Sequence, residues 1–378
     1  MQLTSSKLAS LFIGAFLATI VSAADSNGKL VPASDHHISY AGRFDEHDPK
    51  HVVAIWQSTR ISTDFKSQHL AIEFGPSVDQ SYFDADVDGA SEIVAVQPGR
   101  EHQTYVWPHP LDGAAHHFTL TKRSEAAAGY ATFDGLTLDR DSKVSTPATH
   151  HDRLRFIFFG DSITAGACNE DGALDQWESR HTHNANKSYA AFTANAFGAD
   201  FQNISISGMG IITGYVPVRA GEVWDRIYPK ADSARADVGK WQPNVIFVNY
   251  GENDTSYTRG HGQPFPPTFS AGYVTFVESL RRAYPTAEIV LLRGGMGGGA
   301  QDANLRAAWT TAVEQLEKMD SRVAHFVFTH FTTQHPRVAD DQAMADELSA
   351  WLKPQPFVAV TKTLSRSAKS SSARPPTQ

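Results

Sequence analysis

The chain has 378 residues, of which 41% are hydrophobic and 20% charged, so it can form the cores of two domains. Its 33 basic and 41 acidic residues give a net charge of −8, which excludes nucleic acid as the main partner because phosphate binding needs a basic face. The single cysteine leaves no internal disulfide, so stability must come from burial.

The first 23 residues predict a secretory signal peptide. Lys7 precedes an apolar run at 8–21, and Val21-Ser22-Ala23 fits a small-x-small cleavage site. A membrane anchor is the alternative, but the run is short for a spanning helix. We therefore expect an exported, soluble mature protein without a membrane partner.

Residues 25–148 predict an antiparallel β-sandwich. Short segments rich in β-branched and aromatic residues recur, and turn signals such as Asp88-Gly89 and Asp134-Gly135 separate them. The predicted strands cover residues 52–56, 70–74, 82–87, 92–96, 104–107, 116–121 and 130–138. The polar stretch 146–152, which contains Pro147, is interpreted as a linker.

Residues 152–360 change to an α/β pattern. Continuous apolar runs, typical of strands buried on both faces, alternate with helical stretches, which predicts a parallel sheet. The runs lie at 155–159, 201–206, 245–250, 289–292 and 324–328, and the helical stretches at 188–197, 269–283, 303–319 and 340–352. Ligands of such sheets bind beyond the carboxyl ends of the strands. The polar tail 361–378 is expected to be disordered.

Four residues follow the first, second, third and last of these strands and together carry ester-cleaving chemistry. Ser162 offers a hydroxyl nucleophile, and His335 offers a general base that can take its proton. Gly208 offers a free backbone N–H, and the amide of Asn253 can donate to an oxyanion. Each also has a structural interpretation. Ser162 fits a cap or turn residue, Gly208 a tight turn and Asn253 an Asx turn. His335 is one of seventeen histidines. His330 is the nearest rival base, but it abuts the strand and no proline follows it.

The motifs at these positions resemble the four blocks of the SGNH (GDSL-type) hydrolase superfamily. They are Gly160-Asp161-Ser162, Gly208, Gly251-Glu252-Asn253-Asp254 and His335-Pro336. The resemblance implies a flavodoxin-like three-layer α/β/α domain with Ser162 and His335 as the catalytic residues. It also implies an oxyanion hole made by the backbone N–H groups of Ser162 and Gly208 and the side chain of Asn253.

A β-sandwich in front of such a domain resembles carbohydrate esterase family 2, the acetyl xylan esterase type. The segments 40–44, 120–126, 160–166 and 333–336 carry this likeness. It implies a jelly-roll sandwich and removal of acetyl groups from plant-cell-wall polysaccharides such as xylan and glucomannan. The expected partner is therefore an acetylated polysaccharide or oligosaccharide, with no cofactor and no metal. The sequence carries no signal for an oligomeric state.

The sequence departs from the SGNH pattern just before the proposed base, His335. Many SGNH enzymes have an aspartate shortly before the histidine, but residues 331–334 contain no carboxylate. The family 2 likeness implies that a Ser–His dyad with a carbonyl orienting the histidine is tolerated, and what orients His335 stays open. Two alternatives stay open: a GDSL-type lipase or lysophospholipase, and a non-catalytic carbohydrate-binding relative with a decayed site.

Four further features are a single cysteine, a glycine-rich segment, a tryptophan after the serine motif and three sequons. Cys168 is taken as a small buried residue beside the site rather than a nucleophile or metal ligand, and residues 294–299 as a mobile loop rather than a phosphate loop. Trp177 could stack on a sugar ring or belong to the core or surface. The sequons begin at Asn186, Asn203 and Asn253, and the first is the best glycan acceptor.

Overall fold

The computed structural model describes residues 28–148 and 153–358. The predicted signal peptide, the predicted tail and residues 149–152 of the predicted linker lie outside the described residues. Within the described ranges, no helix combines the length and the apolar character that crossing a bilayer requires.

Twelve strands form two antiparallel sheets in the first part of the chain. The first sheet has the order β3-β4-β11-β6-β9 with β1 beside β11, and the second has the order β12-β5-β10-β7-β8 with β2 beside β5. The strands are β1 (Gly28–Pro32), β2 (Ser39–Ala41), β3 (Phe44–Asp45), β4 (Val52–Ala54), β5 (Arg60–Lys66), β6 (Leu70–Asp79), β7 (Ser81–Val87), β8 (Ala90–Val96), β9 (Gln103–Val106), β10 (Ala115–Lys122), β11 (Gly129–Asp139) and β12 (Lys143–Ser145).

Alternation of apolar and polar residues places the sandwich core between the two sheets. In β7, for example, Phe83, Ala85 and Val87 are buried while the residues between them are half-buried. The facing sheet contributes Phe74 from β6, whose ring centre lies 5.6 Å from that of Phe83. The predicted sandwich is thereby confirmed.

Strand β5 is the main element that the sequence analysis missed. Its residues alternate between the core and the surface, with Ile61, Thr63 and Phe65 pointing inward. Polar residues, among them Asp64, weaken its β pattern. Pairing with β10, β12 and β2 supplies the hydrogen bonds that make it a strand, and this pairing is a tertiary effect.

A five-stranded parallel sheet forms the second part of the chain, with the order β14-β13-β15-β16-β17. Its strands are β13 (Arg155–Gly160), β14 (Asp200–Ser205), β15 (Val245–Asn249), β16 (Glu288–Met296) and β17 (Val323–Thr332). The chain moves from β13 to one neighbour and then returns to the other. This reversal opens a crevice at the carboxyl ends of β13, β14 and β15.

Helices cover both faces of this sheet. They are α1 (Ser162–Ala165), α2 (Tyr189–Ala196), α3 (Ala220–Val223), α4 (Glu252–Gly260), α5 (Phe269–Ala283), α6 (Gly297–Gln301), α7 (Ala303–Met319) and α8 (Val338–Leu352), with 3₁₀ turns at Ala126–Ala128, Arg180–Thr182 and Ala185–Lys187. On β13, Ile157 and Phe159 belong to one core, whereas Phe156 and Phe158 belong to the other. The expected three-layer α/β/α architecture is confirmed.

Two of the three sequons lie in the interior. Asn203 and Asn253 are buried, so neither side chain is accessible to a glycan in the folded chain. Asn186 is half-buried, and its amide donates a 2.7 Å hydrogen bond to Asp84.

Buried polar side chains join the sandwich to the α/β part. The Gln57 side chain is 1% exposed; its amide nitrogen donates to the carbonyl oxygen of Ser205 at 2.8 Å, and its amide oxygen accepts from the N–H of Ala126 at 3.0 Å. Arg43 donates to the carbonyl oxygen of Trp224 at 2.8 Å, and Trp56 donates to that of Ile227 at 2.7 Å. These bonds fix how the two parts sit together.

Replacement of Gln57 by leucine tests this junction. The change removes the hydrogen-bond partner of the buried N–H of Ala126 and of the carbonyl oxygen of Ser205, and each such loss costs about 1–3 kcal/mol. We expect the first unfolding transition to fall by about 5–10 °C. Differential scanning calorimetry measures it, with Gln342→Leu on the exposed face of α8 as the matched control. Equal melting curves for the two variants would contradict this account.

Candidate active site

Ser162 lies where the first strand of the parallel sheet turns sharply into a helix. Strand β13 ends at Gly160, and Asp161 caps α1 by accepting the N–H of Ile163 at 3.1 Å. A side chain at Gly160 would collide with Thr164, so the turn needs glycine. Ser162 is 4% exposed and occupies the first position of the helix, at the carboxyl edge of the sheet.

Gly208 occupies the turn that follows β14. Its backbone has φ +80°, a conformation that favours glycine, and its carbonyl oxygen accepts the N–H of Tyr215 at 2.8 Å. Asp254 stabilises the rest of this turn by accepting the N–H groups of Ile211, Ile212 and Thr213 at 2.7–3.0 Å. Burial raises the pKa of Asp254 to about 6, against the lowering effect of those three bonds.

Asn253 bridges the two turns. Its amide nitrogen lies 3.1 Å from the Asp161 carboxylate and 3.1 Å from the carbonyl oxygen of Met209. The side chain therefore touches both the residue before Ser162 and the residue after Gly208. The three predicted oxyanion positions thus belong to one bonded cluster at the carboxyl ends of β13, β14 and β15.

His335 is oriented by a carboxylate, not by a carbonyl. Its Nδ1 lies 2.7 Å from Oδ2 of Asp175, and its backbone N–H donates to the same oxygen at 3.4 Å. Arg337 lies 2.9 Å from the other carboxylate oxygen. Burial opposes the charge of Asp175, but the bonds from His335 and Arg337 outweigh it and lower the pKa to about 2. The group that orients His335, which the sequence left open, is therefore the carboxylate of Asp175.

No local pattern points to Asp175, because it is 160 residues from His335 along the chain. It lies in the loop that continues from the serine helix, and this loop is bonded directly to the histidine segment. The N–H of Asp175 donates to Gln334 at 3.0 Å, and Arg337 donates to the carbonyl oxygen of Cys168 at 3.0 Å. The loop after Ser162 therefore holds the segment that carries His335.

Trp177 packs on the histidine. Its ring lies 5.5 Å from the His335 ring, with 27° between the planes, and the Arg180 guanidinium lies 4.1 Å from the centre of the indole ring. Trp177 is half-buried. Of its two interpretations, the structural one accounts for these contacts.

Cys168 is buried beside this group, as expected. Its sulfur lies 3.4 Å from Nε2 of His183. Burial, with the negative charges of Asp175 and Asp171, raises the pKa of the thiol, so it stays neutral and is a poor nucleophile. Burial, with the charge of Arg180, lowers the pKa of His183 to about 3, so that imidazole is neutral.

Two groups among the described residues have ligand atoms close enough to hold a metal ion. One is exposed or half-exposed: Asp35, His36 and His37. The other is formed by Cys168, Asp175 and His335, whose ligand atoms all lie within 4.8 Å of one another. In the second group, both oxygens of Asp175 already contact His335 and Arg337, so the geometry is that of an ion-paired hydrogen-bond network.

The glycine-rich segment is regular structure, and its interpretation as a mobile loop was wrong. It forms the end of β16 and the start of α6, where the Glu252 carboxylate accepts the N–H groups of Gly298 and Gly299 at 3.2 and 2.6 Å. The rival base His330 pairs with Asp340 of α8 at 2.8 Å.

Comparison with known families assigns both parts of the chain. Residues 40–147 match the model of the carbohydrate esterase 2 N-terminal domain, and residues 158–354 match that of the GDSL-like lipase/acylhydrolase family. The chain therefore belongs to the GDSL-like lipase/acylhydrolase family, in the two-domain form of the family 2 carbohydrate esterases.

Three relatives illustrate the likeness. The chain is 29% identical to the cellulase/esterase CelE of Acetivibrio thermocellus over 84% of its own length, and spans about two fifths (39%) of that protein. It is 27% identical to an acetylxylan esterase / glucomannan deacetylase of Cellvibrio japonicus, over 87% of this chain and 91% of the relative. A solved family two carbohydrate esterase from Clostridium thermocellum, in complex with cellohexaose, is 29% identical with a TM-score of 0.73, over 84% and 98% of the two chains.

The low pKa of Asp175 predicts a pH-dependent stability. A carboxyl group whose pKa falls from 3.8 to about 2 on folding stabilises the fold above pH 4, and this contribution disappears as the pH drops through 2. Because a quarter of the side chain is exposed, we expect about 1–2 kcal/mol. Asp175→Asn should therefore destabilise the fold at pH 6 and much less at pH 2.5.

Chemical denaturation at both pH values measures the difference, with the exposed Asp232→Asn as the control. Parallel stability curves for wild type and Asp175→Asn from pH 7 to pH 2 would contradict the assigned ion pair.

Proposed function

We propose that this chain is a serine esterase that removes O-acetyl groups from plant-cell-wall polysaccharide such as xylan or glucomannan. The observation that carries the proposal is the 2.7 Å contact between His335 and Asp175, in a loop that continues directly from the helix of Ser162. An imidazole held in this way by a carboxylate is suited to activate a serine hydroxyl.

The proposed reaction has two halves. Ser162 Oγ attacks the acetyl carbonyl carbon while His335 Nε2 accepts the hydroxyl proton, and the C–O bond to the sugar breaks as His335 returns that proton to the leaving alcohol. Water then attacks the acetyl-serine while His335 takes its proton; the bond from the acetyl carbon to Ser162 Oγ breaks, His335 returns the proton to Oγ, and acetate leaves. Asp175 keeps the proton on Nδ1 and stabilises the imidazolium.

The oxyanion would receive hydrogen bonds from the backbone N–H groups of Ser162 and Gly208 and from the amide of Asn253. Both amide hydrogens of Asn253 have acceptors, Asp161 and Met209, so one bond must be given up for the substrate oxygen. We expect the bond to the Met209 carbonyl to be the one that breaks, because the other acceptor is a carboxyl group. One such donor is worth about 2.7–4 kcal/mol in the transition state.

An exposed aromatic side chain beside Gly208 supports a carbohydrate substrate. Tyr215 is 56% exposed, and its Cβ would lie 3.1 Å from a Cβ on Gly208. Its ring packs edge-on against Tyr257, 5.3 Å between centres, which fixes its position. An apolar ring face with a polar hydroxyl is suited to contact a sugar ring. The names of the relatives, which include an acetylxylan esterase / glucomannan deacetylase and a carbohydrate esterase bound to cellohexaose, point to the same class.

Export is also part of the proposal. In the first 23 residues a basic residue is followed by an apolar run and then by small residues, which is the order of a signal peptide. An insoluble polysaccharide outside the cell also requires an enzyme that is exported.

Acetate release from acetylated xylan and glucomannan tests the function. We expect release by wild type, a loss of at least about 10³-fold in kcat for Ser162→Ala and His335→Ala, and a loss of about 10- to 10⁴-fold for Asp175→Asn. Ser91→Ala and His109→Ala, both on the exposed surface of the sandwich, serve as matched controls.

Unchanged rates in the Ser162 and His335 variants would refute the mechanism. A preference of wild type for long acyl esters over acetyl esters would instead identify a lipase or lysophospholipase. Saturable polysaccharide binding without acetate release would identify a non-catalytic binding protein.

Removal of the Tyr215 ring should separate sugar binding from chemistry. Tyr215→Ala is expected to raise KM for acetylated oligosaccharides by about 10-fold, because aromatic contacts contribute about 1 kcal/mol or more. The same variant should hydrolyse 4-nitrophenyl acetate within about threefold of wild type. Steady-state kinetics on both substrates measure this, with Tyr215→Phe as the conservative variant. An equal loss on both substrates would show that Tyr215 acts on the turn of Gly208 rather than on the sugar.

A further inference from the structure

A carboxylate from the sandwich reaches into the proposed active site. Glu125 follows β10 at the edge of the sandwich and is 1% exposed. Its Oε2 accepts the backbone N–H of Ser207 at 2.8 Å, a contact between residues 82 positions apart along the chain. Ser207 immediately precedes Gly208, so this bond holds the peptide next to the proposed oxyanion donor.

The bond to Ser207 is strong for its kind. A carboxylate that accepts a buried backbone N–H makes a charge-assisted hydrogen bond, about twice as strong as a neutral one. The Gly208 backbone has φ +80°, which the turn must maintain for the Gly208 N–H to face a substrate. Loss of the Glu125 acceptor would leave the Ser207 N–H buried without that partner and free the turn to rotate.

The other oxygen of Glu125 faces the histidine side of the site. Oε1 lies 3.2 Å from Nη1 of Arg180, and Arg180 covers Trp177 at 4.1 Å. Trp177 in turn packs on His335 with ring centres 5.5 Å apart. One carboxylate thus connects to the oxyanion turn directly and to the imidazole through two side chains.

Glu125 is itself held firmly. Lys122, fully buried, donates to the carbonyl oxygens of Ser124 and Glu125 at 2.7 and 3.2 Å. Arg123 bonds to Asp84 within the sandwich and to Glu170 of the loop that follows Ser162. The segment 122–125 is therefore anchored at both ends, which limits the movement of the Glu125 carboxylate.

We propose that Glu125 is a positioning residue for the ester hydrolysis: it fixes the Ser207–Gly208 turn and, through Arg180 and Trp177, the ring of His335. This inference rests on the proposed function, since it assigns a role in that reaction. The sandwich then completes the site of the α/β domain, although it supplies no group that touches the reacting atoms.

The decisive comparison is between two substitutions at one position. Glu125→Ala removes both contacts, whereas Glu125→Gln keeps an oxygen that can accept the Ser207 N–H and loses the charge that faces Arg180. We expect kcat for 4-nitrophenyl acetate to fall about 10²-fold in the alanine variant, with KM within about threefold, because a small misplacement of positioned groups costs rate of this order. The kcat of the glutamine variant should be at least tenfold higher than that of the alanine variant.

A matched control separates positioning from loss of the domain junction. Asp45, also on the sandwich, accepts a 2.8 Å hydrogen bond from Tyr228 of the α/β part. Asp45→Ala should keep kcat within about twofold, although it removes a contact across the junction as Glu125→Ala does. Equal kcat losses in Asp45→Ala and Glu125→Ala, or a kcat of Glu125→Ala within twofold of wild type, would overturn the proposal.

A coupled variant tests the path to His335. If Glu125 acts on the ring through Arg180, the kcat loss in Arg180→Met with Glu125→Gln will be smaller than the product of the two single losses. Fully multiplicative losses would overturn this branch of the proposal.

Amide NMR shifts give a readout that needs no activity. The Ser207 amide proton should lie downfield in wild type and move upfield in Glu125→Ala, with a smaller move in Glu125→Gln. If the alanine variant folds poorly, the glutamine variant decides the contact. An unchanged Ser207 shift in both variants would overturn the proposal. Absence of ester hydrolysis by wild type, with the shifts as expected, would instead refute the proposed function.

Discussion

The contact between His335 and Asp175 depends on two segments that lie 160 residues apart and are bonded side by side. The segment 168–175 continues from the serine helix, and the segment 334–338 leads into α8. Arg337 joins them through the carbonyl oxygens of Cys168 and Gly172 and through the Asp175 carboxylate. Because this junction sets both the position and the tautomer of the imidazole, the chemistry of the proposed site depends on it.

Buried carboxylates that accept backbone N–H groups fix the loops around this junction. Asp161 caps α1, Asp254 holds the turn after Gly208, and Glu252 holds the start of α6. Burial raises the pKa of all three, so their ionised forms are costly without these bonds. The N–H groups offset that cost, and in return each loop has one preferred arrangement. Such a cluster would hold the donors of the proposed oxyanion site in fixed positions.

The same principle extends across the domain boundary. Gln57 and Arg43 satisfy backbone oxygens of the α/β part, and Glu125 satisfies one of its N–H groups. The sandwich is therefore bonded to the loops at the carboxyl edge of the sheet and does not merely precede them in the chain. This arrangement explains how the two parts form one structure around the proposed site, and Trp56 and Ala126 of the sandwich segment also pack in a core of the α/β part.

The sequence by itself determined the two fold classes and the four motifs at strand ends, because alternation, apolar runs and turn residues are local signals. It also proposed Ser162, Gly208, Asn253 and His335 as site residues, since each lies a few residues beyond the end of its own strand. It missed β5, whose polar residues become a strand only through pairing with neighbours. It also missed Asp175 and Glu125, whose partners Gln334, His335, Arg337 and Ser207 are remote in the chain. Tertiary packing decides which carboxylate reaches which loop, because a hydrogen bond between distant segments produces no periodic pattern in the sequence.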